Sequence, residues 1–125
     1  MVLNIIRRQV QSRLMSCCPG ATGAVYEVSI KFNDPSIRQE YYGWLSGHHI
    51  SEVLNFDGFI SAELLEEYKG TGLTVRYLME STDTFEKYNS SDMATKLRSE
   101  AIEKFGSSTF SVCRKVLTTS EVFYK

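Results

Sequence analysis

The chain has 125 residues and a mass of 14.2 kDa, which is the size of a single domain with one hydrophobic core. Its net charge is −1, 42% of its residues are hydrophobic and 23% are charged, and no apolar run reaches the ~20 residues that a membrane-spanning helix needs. Outside the N-terminus no run of lysine and arginine interleaves with aromatic residues, so we expect neither a membrane span nor a nucleic-acid partner.

The N-terminal segment differs from the rest of the chain in charge and in pattern. Residues 1–22 carry three arginines and no acidic residue, whereas residues 23–125 carry 11 basic and 15 acidic residues. Apolar side chains of the segment recur at every fourth position, as on one face of a helix: Val2, Ile6, Val10 and Leu14. Arginine-rich, serine-bearing, acid-free amphipathic segments are typical of mitochondrial presequences. The segment therefore predicts a mitochondrial location, and a cytoplasmic protein with a plain N-terminal extension is the open alternative.

The three cysteines, Cys17, Cys18 and Cys113, indicate neither a disulfide framework nor a zinc site. Their number is odd, two of them are adjacent, and the C-x-x-C spacing of zinc ligands is absent. We expect reduced thiols, and we expect Cys113 to be a small buried hydrophobic residue in the last strand.

From residue 24 the pattern predicts first a strand and then a helix. Three apolar residues alternate with polar ones, which is the period of a half-buried strand: Val28, Ile30 and Phe32. Asp34 and Pro35 are typical of an N-cap and of the first helical position. The apolar stripe of the helix consists of Ile37, Tyr41, Trp44 and Leu45. We expect Gly47 to interrupt the helix and residues 50–54 to continue as a second short turn.

Two further strands, a helical region and a last strand complete the pattern. Strands are predicted at 59–65 and 73–79, joined by a hairpin turn at residues 69–72, where two glycines supply the turn chemistry. The segment Ser81-Thr82-Asp83 caps a short helix, and Asn89-Ser90-Ser91-Asp92 restarts the helix. Gly106 has the position of a C-terminal cap. The last strand is predicted at about 110–117.

The predicted order is β-α-β-β-α-β, which is the split βαβ arrangement of an α+β, ferredoxin-like fold. Such a domain has a four-stranded antiparallel sheet with two helices on one face. We place this domain at residues 23–119 and a C-terminal tail at 120–125. The side chains expected to face the helices are Val28, Ile30, Ile60, Ala62, Leu64, Val75 and Tyr77.

The opposite face of the sheet is predicted to be mixed, with polar residues at its centre and Phe59 and Leu65 at its ends. A second subunit can cover such a face and form a barrel with a polar interior. Glu63 and Arg76 lie on neighbouring strands of this face, so we expect them to pair, either as an exposed ion pair or inside a shared barrel cavity.

One stretch of the sequence is more distinctive than the rest. Residues 41–54, followed by Asp57-Gly58-Phe59, combine a helix containing Trp44 with a His-Ile-x-x-Val-Leu turn and a Gly-Phe pair that opens the second strand. In this pattern the chain resembles a family of uncharacterised domains of unknown function in the ferredoxin-like dimeric α+β barrel superfamily. The resemblance covers about residues 24–119 and implies a homodimer. The superfamily includes cofactor-free monooxygenases, haem-degrading enzymes, lyases and small stress-related proteins.

The two histidines, His48 and His49, are the first candidates for chemistry. At helical spacing both are one turn from Glu52, and a neighbouring carboxylate raises the pKa of an imidazole and orients its tautomer. One interpretation makes His49 a general base, with Glu52 orienting it and Arg76 binding a developing oxyanion. The other makes His49 structural, with its imidazole bonded to backbone at the helix-to-strand turn. Adjacent histidines project differently, so no metal site is predicted.

His48, Glu63 and Trp44 are the candidate ligand-binding residues of the barrel cavity, although an aromatic residue at helical spacing is more often part of a core. The sequence contains no dinucleotide-binding glycine motif, no P-loop and no nucleophile elbow, so no cofactor is predicted.

The sequence thus predicts an uncharacterised homodimeric domain that binds a small molecule or assists another protein. The alternative is a cofactor-independent enzyme, monooxygenase-like or lyase-like, that acts on a small, partly apolar molecule in the barrel cavity. Fold analogy does not choose between the two.

Overall fold

The computed structural model describes residues 23–125, so the predictions for residues 1–22, including Cys17 and Cys18, lie outside the described residues. The elements of the described part follow in the predicted order. The strands are β1 (Ala24–Phe32), β2 (Phe59–Glu66), β3 (Leu73–Met79) and β4 (Phe110–Thr118). The α-helices are α1 (Arg38–Trp44), α2 (Ile50–Leu54), α3 (Thr82–Asn89) and α4 (Asp92–Phe105).

The four strands form one antiparallel sheet in the order β2-β3-β1-β4, so β2 and β4 are its edges. Central strand β1 pairs Val28 with Val75 of β3 on one side and with Arg114 of β4 on the other. Side chains alternate between the two faces of a strand, and alternate residues of β3 are buried: Leu73, Val75, Tyr77 and Met79. The helices cover this face, which confirms the predicted ferredoxin-like architecture.

The first helical region differs from the prediction at its centre. It starts as predicted, because Asp34 accepts a hydrogen bond from the Ser36 N–H at 3.0 Å and Pro35 opens a 3₁₀ turn, Pro35–Ile37. The predicted interruption at Gly47 is wrong, because a π turn, Leu45–His49, joins α1 to α2 without a break. The Ile50 N–H donates to the Leu45 carbonyl, so the wider turn absorbs one extra residue and keeps the backbone bonded.

The second helical region agrees with its predicted caps. The Ser81 and Ser91 hydroxyls accept hydrogen bonds from the N–H groups of Asp83 and Ala94 at the starts of α3 and α4. Gly106 ends α4 with a φ of 86°, a conformation that a residue with a Cβ rarely adopts.

The start of β2 corrects one prediction about the two faces of the sheet. The pairing of β2 with β3 shifts between Phe59 and Ser61, which is the signature of a β-bulge. As a result Phe59 packs into the core, in edge contact with Tyr77 at 5.7 Å, while Ile60 is 57% exposed. The bulge reverses the faces of these two residues relative to simple alternation. The other side chains expected to face the helices pack in the core or against it.

Cys113 also differs from its prediction. It is exposed, because β4 is an edge strand and Cys113 alternates with Val112, which packs against the core on the helix-covered face. No helix of the described residues is long and apolar enough to cross a membrane.

The core is unusually rich in aromatic rings. Tyr26 stacks on Tyr77 at 5.6 Å, and Tyr41 contacts Phe105 at 4.7 Å and Phe110 at 5.1 Å. Each such pair adds about 0.5 to 1.5 kcal/mol to the free energy gained by burying its surface. This packing fixes the tyrosine rings whose hydroxyl groups lie near the space between the sheet and the helices.

Candidate functional site

A cavity of about 310 Å³ lies between the helix-covered face of the sheet and the helices. Its floor includes Val28 and Val75, which are paired across β1 and β3, and its helical side includes Trp44, His49 and Leu97. The two valines are short compared with Tyr26 and Tyr77, the next cross-strand pair on the same face. Because short side chains lie where the helices pass over the sheet, a space is left that the core does not fill.

Four tyrosines surround this space: Tyr26, Tyr41, Tyr77 and Tyr88. Burial raises the pKa of Tyr41 and of Tyr88 to about 12 in each case, and it raises that of Tyr77 further. The hydroxyl groups of these three residues therefore stay protonated at neutral pH and can donate hydrogen bonds to a ligand.

Trp44 and His49 reach the cavity as a stacked pair, because the π turn aligns them. Residues five apart face the same side of a π turn, and the two rings are 4.4 Å apart between centroids, with planes 24° apart. Burial lowers the pKa of His49 to about 4, and the positive charges of His48 and Arg114 act in the same direction. The imidazole is therefore neutral at physiological pH.

The imidazole of His49 has no partner at one of its nitrogens. Its Nδ1 is buried and, among the described residues, makes no hydrogen bond. The bond to backbone that the structural interpretation expected is therefore not made by this atom. His49 as a residue lines the cavity, and a neutral imidazole can accept or donate one proton.

Two arginines complete the lining. Arg98, on α4, donates a hydrogen bond from Nη2 to the Tyr26 hydroxyl at 3.2 Å, and its guanidinium lies 5.8 Å from the centre of the Tyr88 ring. Arg114 enters from β4, where it takes the helix-facing position between Val112 and Val116. Within residues 23–125 no aspartate or glutamate lines the cavity. Its walls are aromatic and its charges are positive.

The structure does not bring the other predicted site residues together with His49. Arg76 lies on the opposite face of the sheet, since its neighbours Val75 and Tyr77 line the cavity. It pairs with Glu27 at 3.0 Å and not with Glu63, so the predicted ion pair is wrong, although Glu63 is directly across the ladder. Glu27 of β1 is directly across the ladder from Arg76 on the other side, and it is less exposed than Glu63.

Glu52 and His48 also lie outside the cavity lining. Glu52 is on α2 and partly buried, while His48 faces a surface hollow shared with Trp44, Glu100 and Lys104. The Nε2 of His48 is 3.8 Å from Oε1 of Glu100. No group of three or more metal-ligating side chains occurs in the part of the chain that the structure describes. Of the predicted site residues, His49 and Trp44 line the cavity.

Sequence reasoning missed the two arginines. One signal for Arg114 was available, because it is a lone cation in the alternating apolar row of β4: Phe110, Val112, Arg114 and Val116. A charge on a core-facing row has to meet solvent, a partner or a ligand. For Arg98 no comparable signal exists, since a charged residue beside the apolar stripe of a helix is ordinary.

The family comparison matches nearly the whole described domain. A family model described as a domain of unknown function (DUF4286) matches residues 24–120. The comparison with curated proteins gives no match.

Solved structures with the same fold include two oxygenases and a dimeric protein. The cofactor-independent oxygenase SnoaB from Streptomyces nogalater is 14% identical, with a TM-score of 0.57 over 84% of this chain and 100% of that chain. The monooxygenase ActVA-Orf6 from Streptomyces coelicolor, in complex with nanaomycin D, is 16% identical, with a TM-score of 0.62 over 84% and 94% of the two chains. A dimeric ferredoxin-like protein from an uncultured marine organism is 11% identical, with a TM-score of 0.61 over 83% and 100%. At these identities the likeness shows the fold alone.

Proposed function

The chain belongs to a family of domains of unknown function, DUF4286, and we propose that it binds a small, flat organic molecule in the cavity between the sheet and the helices. The observation that carries the proposal is the cavity itself, about 310 Å³ in volume and walled by aromatic rings around a few polar groups. This volume lies at the lower end of the range of about 300 to 1,000 Å³ for small-molecule sites. Tryptophan, tyrosine and histidine rings present flat faces on which a planar ring system can stack.

The test uses a pair of matched variants on the same strand. Val28→Phe places a ring in the floor of the cavity, whereas Val25→Phe makes the same change on the opposite face of β1. Fused-ring aromatic acids, alcohols and amides are offered to the full-length chain, and binding is measured by ligand-detected NMR. We expect binding to the parent chain and to Val25→Phe, and its loss in Val28→Phe. Failure of every probe to bind, or binding that survives Val28→Phe, contradicts the proposal.

A second candidate function is cofactor-independent oxidation of the bound molecule by dioxygen. Its supporting observation is that His49, whose imidazole is neutral, lines the cavity. The base would take a proton from an acidic C–H of the ligand, and the resulting carbanion would transfer electrons to dioxygen. For a CH₂ group that becomes C=O, one oxygen atom enters the product and the other leaves as water with the two hydrogens. A pKa of about 4 makes His49 a weak base, so the binding function comes first.

Oxygen uptake separates the two functions. Each probe that binds is incubated with the full-length chain in an oxygen electrode, and the products are identified by mass spectrometry. An oxygenase consumes dioxygen with the parent chain and with His48→Asn, but not with His49→Asn. If a probe binds and the dioxygen concentration stays constant, the binding function is supported and the oxygenase function is ruled out.

We also propose that two copies pair through the face of the sheet that the helices leave uncovered. Three leucines of this face are partly exposed, Leu65 at 39%, Leu78 at 38% and Leu117 at 41%. Leu78 and Leu117 flank Val25 at one end of the face, and Leu65 lies toward the other end. Exposed apolar side chains on a sheet face support an interface. A solved structure with the same fold is described as dimeric.

Mitochondrial targeting by residues 1–22 stays a proposal that rests on the sequence pattern. A fusion of residues 1–22 to a fluorescent protein, compared with the same fusion carrying serine in place of Arg7, Arg8 and Arg13, tests it by microscopy. We expect mitochondrial fluorescence from the first fusion and not from the second.

A further inference from the structure

The arginines of the described residues fall into two groups by their partners. Arg38 lies 2.8 Å from Glu66 and Arg76 lies 3.0 Å from Glu27, so each outer arginine has a carboxylate beside it. The other two, Arg98 and Arg114, line the cavity, and within residues 23–125 neither makes an ion pair. Among the arginines of the described residues, the two without an acidic partner are the two that line the cavity.

Arg98 lines the cavity, and one of its hydrogen-bond donors has no partner among the described residues. Its Nη2 bonds the Tyr26 hydroxyl, but its Nε is buried and has no hydrogen-bond partner among the described residues. A buried charged donor without an acceptor is unfavourable, and a guanidinium presents its N–H groups in a fork that matches a planar oxyanion. The geometry is that of a half-completed anion site.

Arg114 adds a second positive charge close to the same space. It is exposed on edge strand β4, and its charge acts on Tyr41, His49 and Tyr88. The charge of Arg98 acts on Tyr88 as well. Both arginines thus line one cavity, and Arg98 lies against the ring of Tyr88.

We propose that the ligand of the cavity is a flat aromatic molecule with an anionic oxygen group, a carboxylate in its simplest form, which Arg98 and Arg114 hold. Arg98 offers its guanidinium from the helical side, and Arg114 contributes its charge from the sheet. The aromatic body of the ligand stacks against the Trp44–His49 pair. This inference rests on the proposed function and specifies the ligand class of that same site.

The test compares an acid with a neutral molecule of the same shape. 2-Naphthoate and 2-naphthamide differ in the charge of one planar substituent, and calorimetric titration of the full-length chain gives both dissociation constants. We expect the acid to bind at least about tenfold more tightly than the amide, the scale of one charge-assisted hydrogen bond. Chemical-shift changes in amide NMR spectra locate both ligands in the cavity.

Two variants and a control assign the preference to its residues. Arg98→Met removes the charge and keeps an elongated apolar side chain, and Arg114→Gln changes an exposed residue whose loss the fold tolerates. Each is expected to lower the preference for the acid severalfold and to leave amide binding within about threefold. Arg76→Met removes the same charge from the opposite face and is expected to leave the preference unchanged.

The outcomes separate this inference from the proposed function. If the acid and the amide bind the cavity equally well, or if Arg76→Met lowers the preference as much as Arg114→Gln, the anion site is overturned while small-molecule binding stands. If neither compound binds the parent chain, and no probe of the Val28→Phe experiment binds either, both fail together. An acid preference that both cavity variants reduce supports the inference.

Discussion

His49 and Arg114 approach the same cavity from the helical side and from the sheet, and the charge of Arg114 disfavours a positive charge on the imidazole. The pKa of His49 is lowered to about 4 chiefly by burial, then by His48 and by Arg114. A ligand anion bound beside the imidazole would act against both charges and raise that pKa. At the scale of single residues, the empty cavity therefore suits an incoming negative charge better than a positive one.

The depressed pKa of His49 predicts a loss of stability in mild acid. Between its ordinary pKa of 6.5 and about 4, the unfolded chain binds a proton that the folded chain excludes, so stability falls as the pH falls through this window. From pH 7 to pH 5 we expect the free energy of unfolding to drop by about 2 kcal/mol more in the parent chain than in His49→Asn. Urea unfolding at the two pH values measures it.

The neighbouring histidine provides the control for that measurement. The side chain of His48 is 52% exposed, and burial, not the charge of His48, is the largest cause of the shift. The His48→Asn variant should therefore lose nearly as much stability between pH 7 and pH 5 as the parent chain does. If His49→Asn and the parent chain lose stability equally between pH 7 and pH 5, His49 is not buried as described.

At the scale of elements, the first helical region is shaped by one inserted turn. The π turn Leu45–His49 replaces the predicted break and stacks His49 on Trp44. Wide turns of this kind inside α-helices occur frequently at functional sites, and this one supplies two of the residues that line the cavity. The β-bulge at the start of β2 has a comparable effect, because it turns Phe59 into the core.

Substitution by alanine is expected to change the free energy of unfolding in opposite directions at Gly47 and Gly58. Gly47 has helical backbone, and a Cβ there would meet no atom within 4 Å, so Gly47→Ala should stabilise the chain by about 0.5 to 1 kcal/mol through helix propensity. Gly58 has a φ of +101°, and a Cβ there would collide with Oγ1 of the buried Thr84. Gly58→Ala should cost about 2 kcal/mol or more. Thermal and urea unfolding of both variants measure these changes in stability. If both substitutions stabilise the chain, or both destabilise it, the backbone geometry described here is contradicted.

At the scale of the whole molecule, the helices cover one face of the sheet and leave the other uncovered within the described domain. The uncovered face combines the Arg76–Glu27 ion pair with the partly exposed Leu65, Leu78 and Leu117. An exposed ion pair contributes at most about 1 kcal/mol, so association would depend on the leucines. In this arrangement the cavity lies within one chain, on the helix-covered side of the sheet, and the proposed contact between two chains uses the opposite face.

Association through that face predicts a charge-sensitive dimer. Leu78→Glu adds a carboxylate beside Val25, on the apolar end of the face that also holds Leu117. An apolar interface cannot accommodate this charge without a partner. By light scattering coupled to size exclusion, we expect twice the 14.2 kDa of one chain for the parent and one chain for Leu78→Glu. Tyr68→Glu, at an 86% exposed position beyond β2, should remain dimeric. A monomeric parent chain would refute the pairing.

The sequence by itself determined the order of the elements, most of the side chains that face the helices, and the caps at Asp34, Ser81, Ser91 and Gly106. These features depend on residues close together in the chain, through the alternation of strands, the stripes of helices and the hydrogen bonds of turns. Only the tertiary structure decided the π turn, the bulge at Phe59, the choice of Glu27 over Glu63 by Arg76, and the placement of Arg98 and Arg114 in the lining of one cavity. Each of these is selected by competition among groups distant in sequence, and a local pattern carries no information about which distant partner will be nearer or better buried.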